Sequence, residues 1–289
     1  MLNFILKKFF WGGLRHFLSD KRYIKIRYKL EFGFWPDLKN PKRFSEKIQV
    51  LKLYDRTQLR RIAADRLEVR KYVSKKIGDS YLIPLIGSFK YLDEDIWEEL
   101  PSSFVLKASH GSGMVCMIHQ KEEEEHKTIL RTANGWMKVD YYRFGREWVY
   151  KGLHRFILAE ELILDENENV PSDFKFFCFQ GQVKLVQVDI DRFGTQKRNL
   201  YDEQFNLLDA GLHHEVGEDK IKKPALFEEA KNIAEVLSAE FSFIRVDLYI
   251  LPERIYFGEL TNFPGNGFER FHPDEFDFVA GDMLPETDL

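Results

Sequence analysis

Two apolar segments near the C-terminal end of the chain constrain its fold most strongly. The first runs from Phe243 to Ile250, and the second begins at Gly258 after a short turn. Their composition predicts two neighbouring strands, whose ends then carry Asp247 and Glu259. Two carboxylates so placed can share a divalent cation, and Mg²⁺ typically takes one or two carboxylates together with substrate phosphates. The alternative is a β-hairpin with two solvated acidic residues at its rim.

A lysine that ends an apolar strand and is followed directly by small residues is the second informative feature. It comprises Lys107 and the loop residues His110, Gly111, Ser112 and Gly113. Backbone N–H groups of such a loop can bind phosphate oxygens while the ammonium group supplies charge. The lysine precedes the glycines, so this is not a Walker A loop, and no G-x-G-x-x-G motif supports dinucleotide binding. The alternative is a tight hairpin at the two glycines.

The third feature is a pair of acidic residues at the end of another apolar strand. Glu160 and Glu161 precede Leu162 and Ile163, and Asp173 follows a turn-rich stretch. Acidic side chains here can pair with an adenine amino group or a ribose hydroxyl, while the neighbouring main chain contacts the edge of the ring. An edge strand with solvated glutamates would have the same sequence pattern.

The order of the patterns predicts an α+β chain in which helices come first and strands later. A length of 289 residues is typical of about two domains. We expect a helical N-terminal region over residues 1–77, a small subdomain over 78–164 and a C-terminal subdomain over 165–289. Helical periodicity covers residues 45–54, 62–77, 122–139 and 225–239; strand patterns cover 81–87, 103–107, 114–118, 156–164 and a hairpin over 174–188.

Composition excludes some classes of function. The net charge of −4 and the pI near 6.1 argue against nucleic-acid binding, which normally requires a basic surface. The two cysteines, Cys116 and Cys178, lie far apart in apolar runs. This spacing favours buried thiols in a reducing compartment over a disulfide or a metal site.

The N-terminal segment is basic and aromatic and allows two interpretations. It can lie on an anionic membrane surface as an amphipathic helix, or dock on the chain's own domain. No segment is long enough to span a bilayer and no signal-peptide cleavage site is present, so we expect a cytoplasmic protein, with peripheral contact at the inner face of the membrane as the further possibility. The residues concerned are Lys7, Lys8, Arg15 and Lys21 beside Phe4, Phe9, Phe10, Trp11 and Phe17.

Taken in order, these features resemble the ATP-grasp superfamily. Residues 104–113 are similar to its lysine and phosphate-covering loop, and residues 159–163 to the hinge that holds adenine. Residues 245–247 and 259–261 match the metal motif, which continues into Pro264 and Gly265. The resemblance implies an α+β ATP-grasp fold in which ATP lies between a small grasp subdomain and a C-terminal antiparallel sheet domain.

The same resemblance implies roles for further residues. Arg66 stands where related proteins have the first phosphate-binding lysine, and guanidinium also binds phosphate, with a different geometry. Lys175, Arg192 and Arg245 resemble the basic residues that meet the γ-phosphate and steady an acyl phosphate in related ligases. The third metal ligand is usually Asn two residues after the Glu, a place that Thr261 occupies, with Asn262 one further along. His110 is expected to bind phosphate or backbone in preference to acting as an acid or base.

Nearly the whole chain, residues 15–270, resembles the TupA-like ATP-grasp proteins of the teichuronopeptide and capsule-biosynthesis type. The segments that carry the likeness include residues 40–47, 51–55, 146–151, 174–179 and 256–260. The resemblance implies an ATP- and Mg²⁺-dependent ligase that joins an amine or amino acid to a uronic-acid carboxylate, on a small-molecule or lipid-linked sugar. The alternatives are a kinase of a sugar or lipid-linked hydroxyl, and a glycosyltransferase-associated ATP-binding component without enzymatic activity.

Overall fold

The computed structural model describes residues 2–190, 197–213, 217 and 221–285. It combines helices with antiparallel sheets, and the predicted α+β class is confirmed. The helices within these residues are α1 (Leu2–Trp11), α2 (Asp20–Phe32), α3 (Phe44–Tyr54), α4 (Gln58–Ala64), α5 (Glu68–Ile77), α6 (Glu94–Glu99), α7 (His126–Trp136), α8 (Tyr142–Gly145), α9 (Phe227–Ser238) and α10 (Phe276–Asp282).

The strands form two main sheets and one small one. A four-stranded sheet has the order β1-β4-β2-β3, a five-stranded sheet the order β10-β9-β5-β6-β7, and β11 pairs with β8. All these pairings are antiparallel. The strands described are β1 (Leu85–Phe89), β2 (Phe104–Ala108), β3 (Val115–Ile118), β4 (Ile157–Glu160), β5 (Asp173–Phe179), β6 (Gln182–Ile190), β7 (Lys197–Asp202), β8 (Gly211–Leu212), β9 (Phe243–Ile250), β10 (Ile255–Thr261) and β11 (Phe271–His272).

The five-stranded sheet has two different faces because side chains alternate along each strand. On one face Phe176, Ile244 and Val246 are fully buried in a core that includes the apolar side of α9. The other face is apolar towards one end, where Phe177 and Phe243 pack against α3. Towards the other end this face carries charged residues, which are suited to a binding site for a polar ligand.

The predicted hairpin is present between β5 and β6. Its turn residues Gln180 and Gly181 both have positive φ, 50° and 75°. Positive φ at both central residues is typical of the two-residue turns that match the twist of antiparallel strands.

One predicted helix is wrong. Residues 62–77 do not form a continuous helix, because α4 ends at Ala64 and α5 begins at Glu68. Asp65 lies at the break, where its Oδ1 accepts hydrogen bonds from the backbone N–H groups of Leu67 (2.9 Å) and Glu68 (3.3 Å). A short acidic side chain that satisfies these donors favours the start of a new helix. Arg66 therefore sits in the connection and is free to point away from both helices.

The predicted strands of the smaller sheet are shorter than their apolar runs. β1 begins at Leu85, and β4 ends at Glu160. The chain continues from β4 in an extended form, in which the N–H of Glu161 donates to the carbonyl of Pro84 at 3.1 Å. These residues cross from one main sheet towards the other.

The N-terminal helix docks on the protein itself. Phe10 is fully buried against Tyr23 and Ile24 of α2. Within the part of the chain that the structure describes, we find no helix with the length and apolar character needed to cross a membrane. Cys178 is buried and Cys116 is half-buried, and both are free thiols.

Two glycine substitutions, one in α10 and one in α7 as a control, test how closely α10 packs on the segment before α3. A Cβ added at Gly281 would lie 2.0 Å from the carbonyl oxygen of Lys42, whereas a Cβ at Gly135 in α7 meets nothing within 4 Å. We expect Gly281→Ala to lower the free energy of unfolding by roughly 1–3 kcal/mol through overpacking. Gly135→Ala should raise it by about 0.5–1 kcal/mol, because alanine loses less backbone entropy in a helix.

Urea denaturation of the two variants and the wild type measures both changes. Equal stability of Gly281→Ala and wild type would contradict the close docking of α10.

Candidate functional site

A cleft with a volume of about 410 Å³ separates the two main sheets. Its size is typical of a site for a small molecule or cofactor. One half is mainly apolar, and the other half is lined by charged residues and by the loop after β2. The apolar half includes Ile83, Val105, Met117, Leu162, Ile163, Val170, Pro171 and Tyr249; the polar half includes Arg66, Lys107, Ser112, Gly113, Asp173, Asp247 and Glu259.

The two carboxylates predicted from the sequence are brought together by strand register. Asp247 of β9 and Glu259 of β10 are Cα partners, and Lys175 of β5 is the partner of Asp247 on its other side. A β-bulge between Phe257 and Glu259 sets this arrangement. Bulges are frequent beside binding sites because they change the direction in which a side chain points.

The charge states of these two acids are controlled by arginines and by burial. Arg245 donates to both oxygens of Asp247, at 2.7 and 2.6 Å. Burial nevertheless raises the pKa of Asp247 to about 7. For Glu259 burial also opposes ionisation, but Arg66 and Arg245 outweigh it and lower the pKa to about 2. Burial and the neighbouring arginines thus shift the pKa values of the two acids in opposite directions.

The structure separates Thr261 from Asn262. The hydroxyl of Thr261 donates to Glu259 Oε1 at 3.0 Å and accepts from Arg245 at 3.2 Å. Asn262 is buried, and both ends of its amide contact Arg60: its oxygen accepts from Arg60 Nη1 at 3.2 Å, and its nitrogen donates to the Arg60 carbonyl at 2.9 Å. Thr261 thus lies with Asp247 and Glu259, and these three residues are called the acidic group below. The side chain of Asn262 points away from them.

Arg66 links the two sides of the cleft. One nitrogen of its guanidinium, Nη1, donates to the carbonyls of Ala108 (2.7 Å) and Gly111. The other, Nη2, lies 3.3 Å from Glu259 Oε2 on the five-stranded sheet. A guanidinium fixed by carbonyls and facing a cleft is well placed to bind phosphate oxygens.

The carboxylate of Glu160 is paired with two basic side chains. The residue was predicted to face a nucleoside; its carboxylate accepts from Lys107 Nζ at 2.8 Å and from Arg70 Nη1 at 3.0 Å. Arg70 is in turn fixed by the carbonyl of Ile83 at 2.7 Å. Glu160 thus positions Lys107, and it lines a smaller pocket that shares Arg66, Lys107 and Glu259 with the cleft.

The residues after Glu160 do line the cleft. Glu161, Leu162 and Ile163 form part of its wall together with Ile83 and Met117. Extended backbone outside a strand ladder leaves carbonyl and N–H groups available to a ligand. The N–H of Glu161 is already bonded to the carbonyl of Pro84, so this segment offers apolar side chains and the backbone of Leu162 and Ile163 to a flat, polar-edged ring.

The loop after β2 consists mainly of small residues, and one of them, Gly111, is packed closely against a neighbouring side chain. Ser112 and Gly113 line the cleft, and Gly113 has a φ of 75°, which glycine adopts without strain. A Cβ added at Gly111 would come within 2.7 Å of the ring of Tyr141. The loop thus lies close against Tyr141 on one side and the cleft on the other.

His110 is buried and is not among the residues that line the cleft. It is 2% exposed, and its Nε2 lies 3.1 Å from the carbonyl oxygen of Trp136. Burial lowers its pKa, so a neutral imidazole is favoured. The backbone contact that the sequence interpretation also allowed is the one observed.

Asp173 and Lys175 belong to a buried charge network that the sequence interpretation did not anticipate in full. Lys175 contacts the carboxylate of Asp173 and lies 3.3 Å from Asp189 Oδ2. Asp189 also accepts from Arg198 Nε at 2.6 Å, and Arg198 lies 3.3 Å from Glu269. Polar residues at alternate positions of the apolar strand β6 were the available signal for Asp189. Arg192, predicted to act beside Lys175, lies outside the described residues.

The acidic group can bind a hard cation when a bound ligand supplies further oxygen atoms to it. Among the described residues, no cluster of three or more His, Cys, Asp or Glu side chains is arranged to hold a metal ion. Asp247, Glu259 and Thr261 nevertheless supply hard oxygen atoms at the polar end of the cleft. Mg²⁺ commonly takes one or two carboxylates and completes its shell with water and phosphate oxygens. The donor set therefore fits Mg²⁺ bound together with a phosphate compound.

Comparison with known protein families gives one match. The model of the TupA-like ATP-grasp family matches residues 46–285, which include every described residue of the cleft. A search of curated proteins finds no match to this chain.

Several solved structures have a similar chain path over about three quarters of this protein. D-alanine–D-alanine ligase from Bacillus anthracis is 18% identical, with a TM-score of 0.48, and the alignment covers 77% of this chain and 66% of that one. N5-carboxyaminoimidazole ribonucleotide synthetase from Thermus thermophilus is 12% identical, with a TM-score of 0.43, 75% of this chain and 51% of that one. The ATP-grasp ligase PsnB is 8% identical, with a TM-score of 0.42, 78% of this chain and 60% of that one. This chain thus spans about half to two thirds of their length.

The buried network predicts an acid-sensitive contribution to stability. Burial alone would raise the pKa of Asp189, but Lys175 and Arg198 lower it from 3.8 to about 2. Because the folded pKa is lower than the unfolded one, Asp189 stabilises the fold above pH ~4 and loses this effect as the pH falls towards ~2, a contribution of about 2 kcal/mol. Asp189→Asn should therefore lower the free energy of unfolding near neutral pH.

Urea denaturation between about pH 6 and pH 3 measures the difference between wild type and Asp189→Asn, which should shrink as the pH falls. Asp209→Asn, at an exposed carboxylate, is the control. A difference that stays constant with pH would contradict the role of the Lys175–Asp189–Arg198 contacts.

Proposed function

The chain belongs to the TupA-like ATP-grasp family, and from this premise we propose that it is an ATP-dependent ligase that joins a carboxylate to an amine. The observation that carries the proposal is the composition of one cleft. Lys107, Arg66, Asp247 and Glu259 meet at its polar end, and the segment from Glu161 to Ile163 lines its apolar half. An apolar pocket continuous with a charged one suits a purine ring joined to phosphates.

Within this proposal, adenine occupies the apolar half. The backbone at Glu161–Ile163 would face the edge of the ring, and Asp173, which also lines the cleft, would lie between the nucleoside and the phosphates. Lys107 and Arg66 then meet the phosphate oxygens, with Ser112 and Gly113 supplying backbone N–H groups from the loop.

The reaction proceeds in two steps that conserve atoms and charge. An oxygen of the acceptor carboxylate forms a bond to the γ-phosphorus while the bond to the bridging oxygen breaks, which gives an acyl phosphate and ADP. The nitrogen of an amine then attacks the acyl carbon, phosphate leaves, and the nitrogen loses a proton. Catalysis of such transfers depends mainly on positioning and on charges arranged in advance.

Basic residues of the sheet face would provide this charge. Arg245 and Lys175 are already held by acidic partners, so they can face a phosphoryl group without reorganising. The sequence resemblance predicts that Arg192, which lies outside the described residues, acts together with them. Mg²⁺, held by Asp247, Glu259 and Thr261, would neutralise negative charge on the phosphates.

The acceptor in this proposal is a uronic-acid carboxylate, and the amine is an amino acid or another small amine. The likeness to proteins of surface-polysaccharide assembly supports this choice, on a free or lipid-linked sugar. A kinase acting on a sugar hydroxyl would use the same phosphate site without an amine, and the product test below separates the two.

Variants of the cleft test nucleotide binding. We expect Lys107→Ala and Asp247→Asn each to weaken Mg²⁺-dependent binding of a non-hydrolysable ATP analogue by about tenfold or more, because each removes a charged partner. Isothermal titration calorimetry measures the affinity. Lys138→Ala, at an exposed lysine of the same subdomain, should bind like wild type. Unchanged affinity in both cleft variants would exclude this site.

The metal ligands can be tested with a second pair of variants. Thr261→Val should reduce the Mg²⁺ dependence of nucleotide binding, because it removes the hydroxyl beside Glu259. Asn262→Ala should lower stability through Arg60 yet leave the Mg²⁺ dependence unchanged. Calorimetry at varied Mg²⁺ and thermal unfolding separate these effects. The opposite pattern would assign the metal to Asn262.

The reaction is tested by product mass. Protein, Mg·ATP, a panel of uronic acids and their nucleotide-linked forms, and pooled amino acids are incubated and analysed by mass spectrometry. A ligase yields a product equal to both substrates less one water, with ADP and phosphate, and Asp247→Asn should not form it. A stable phosphorylated sugar formed without amine would reject the ligase in favour of the kinase.

A further inference from the structure

The N-terminal part of the chain carries a charge opposite to that of the rest. Residues 1–30 contain eight Lys or Arg and one acidic residue, Asp20, whereas residues 31–289 contain 35 basic and 46 acidic residues. From this segregation and the exposure described below, we propose that the segment from Lys7 to Arg22 binds the surface of an anionic membrane. This proposal does not depend on the reaction in the cleft.

Exposed aromatic rings accompany these charges. Phe9 is 67% exposed, Trp11 42% and Phe17 89%. Lys7, Lys8, Lys21 and Arg22 are exposed beside them. Aromatic side chains mixed with basic ones are typical of segments that insert rings into the headgroup region while their charges meet anionic lipids.

The exposed residues are fixed to the folded protein and are not a loose tail. Phe10, between two exposed rings, is fully buried against Tyr23. The guanidinium of Arg15 lies 5.0 Å from the centre of the Trp11 ring. The carbonyl of Arg15 accepts from Arg146 Nη2 at 2.8 Å, which ties the segment to the C-terminal end of α8.

The acidic residue of this region does not oppose binding to an anionic surface. Asp20 accepts from the hydroxyl of Tyr142 at 2.6 Å and lies 3.7 Å from Arg146. Its charge is therefore balanced within the protein. The positive charge of the neighbouring lysines faces outward without a compensating carboxylate on this segment.

Charge and exposed aromatic rings together favour one occupant of this surface. A symmetric contact with a second copy of the chain would place two basic segments against each other, which electrostatic repulsion opposes. An anionic bilayer complements both features, because it offers negative headgroups and an apolar boundary a few ångströms below them.

Sedimentation with vesicles tests the proposal on the full chain. We expect binding to vesicles of equal parts phosphatidylcholine and phosphatidylglycerol, little binding to phosphatidylcholine alone, and weaker binding as salt concentration rises. Each basic side chain near an anionic surface contributes about fivefold in affinity, so Lys7→Gln with Lys8→Gln should weaken binding by about 25-fold. Phe17→Ala should weaken it by about tenfold.

Matched controls use exposed residues elsewhere. Lys127→Gln with Arg131→Gln on α7 makes the same change in net charge, and Tyr91→Ala removes a ring that is 64% exposed. Both controls should bind the anionic vesicles like wild type. Equal losses in the controls and the N-terminal variants, or no preference for anionic vesicles, would overturn the proposal. Self-association that Phe17→Ala abolishes, without vesicle binding, would assign the surface to a second copy of the chain.

Discussion

The cleft depends on one side chain, Arg66, that contacts both of its sides from the connection between α4 and α5. Arg66 binds the carbonyls of Ala108 and Gly111 at the end of β2 and faces Glu259 on β10. It can do so because the helix breaks at Asp65, which places the arginine in a connection between α4 and α5. The same guanidinium lowers the pKa of Glu259, so it links the loop after β2 electrostatically to the acidic residues of the five-stranded sheet.

The charged face of the five-stranded sheet consists of paired groups. Arg245 binds Asp247, and Asp189 lies between Lys175 and Arg198. A buried charge without a partner destabilises a protein by several kcal/mol, and even a paired one often contributes less than an apolar replacement. A fold that keeps several such pairs at the end of a cleft holds charge ready for a ligand at some cost in stability, as expected of a site that stabilises developing charge.

Local patterns predicted much of this arrangement, and long-range contacts account for the rest. The neighbouring strands that carry Asp247 and Glu259 follow from a short turn between apolar runs, and strand adjacency then brings the acids together. Periodicity alone missed the helix break, because apolar spacing continues through Asp65. The partners of Glu160 and His110 were not predicted: the carboxylate of Glu160 pairs with Lys107 and Arg70, and His110 contacts the carbonyl of Trp136. Such partners lie 26 to 90 residues away in sequence, beyond any local pattern.

A single glycine decides which residues of β10 face the cleft. Ile255 and Phe257 point into the core, so strict alternation would send Glu259 and Thr261 there as well. The bulge at Gly258 inserts one residue, after which Leu260 packs in the core and Glu259 faces the cleft opposite Asp247. A Cβ at Gly258 would lie 2.9 Å from the carbonyl oxygen of Asp247, so a larger residue would force the strands apart at this point. The backbone geometry of the bulge, and not the charge of the residues, therefore determines where the acidic group lies.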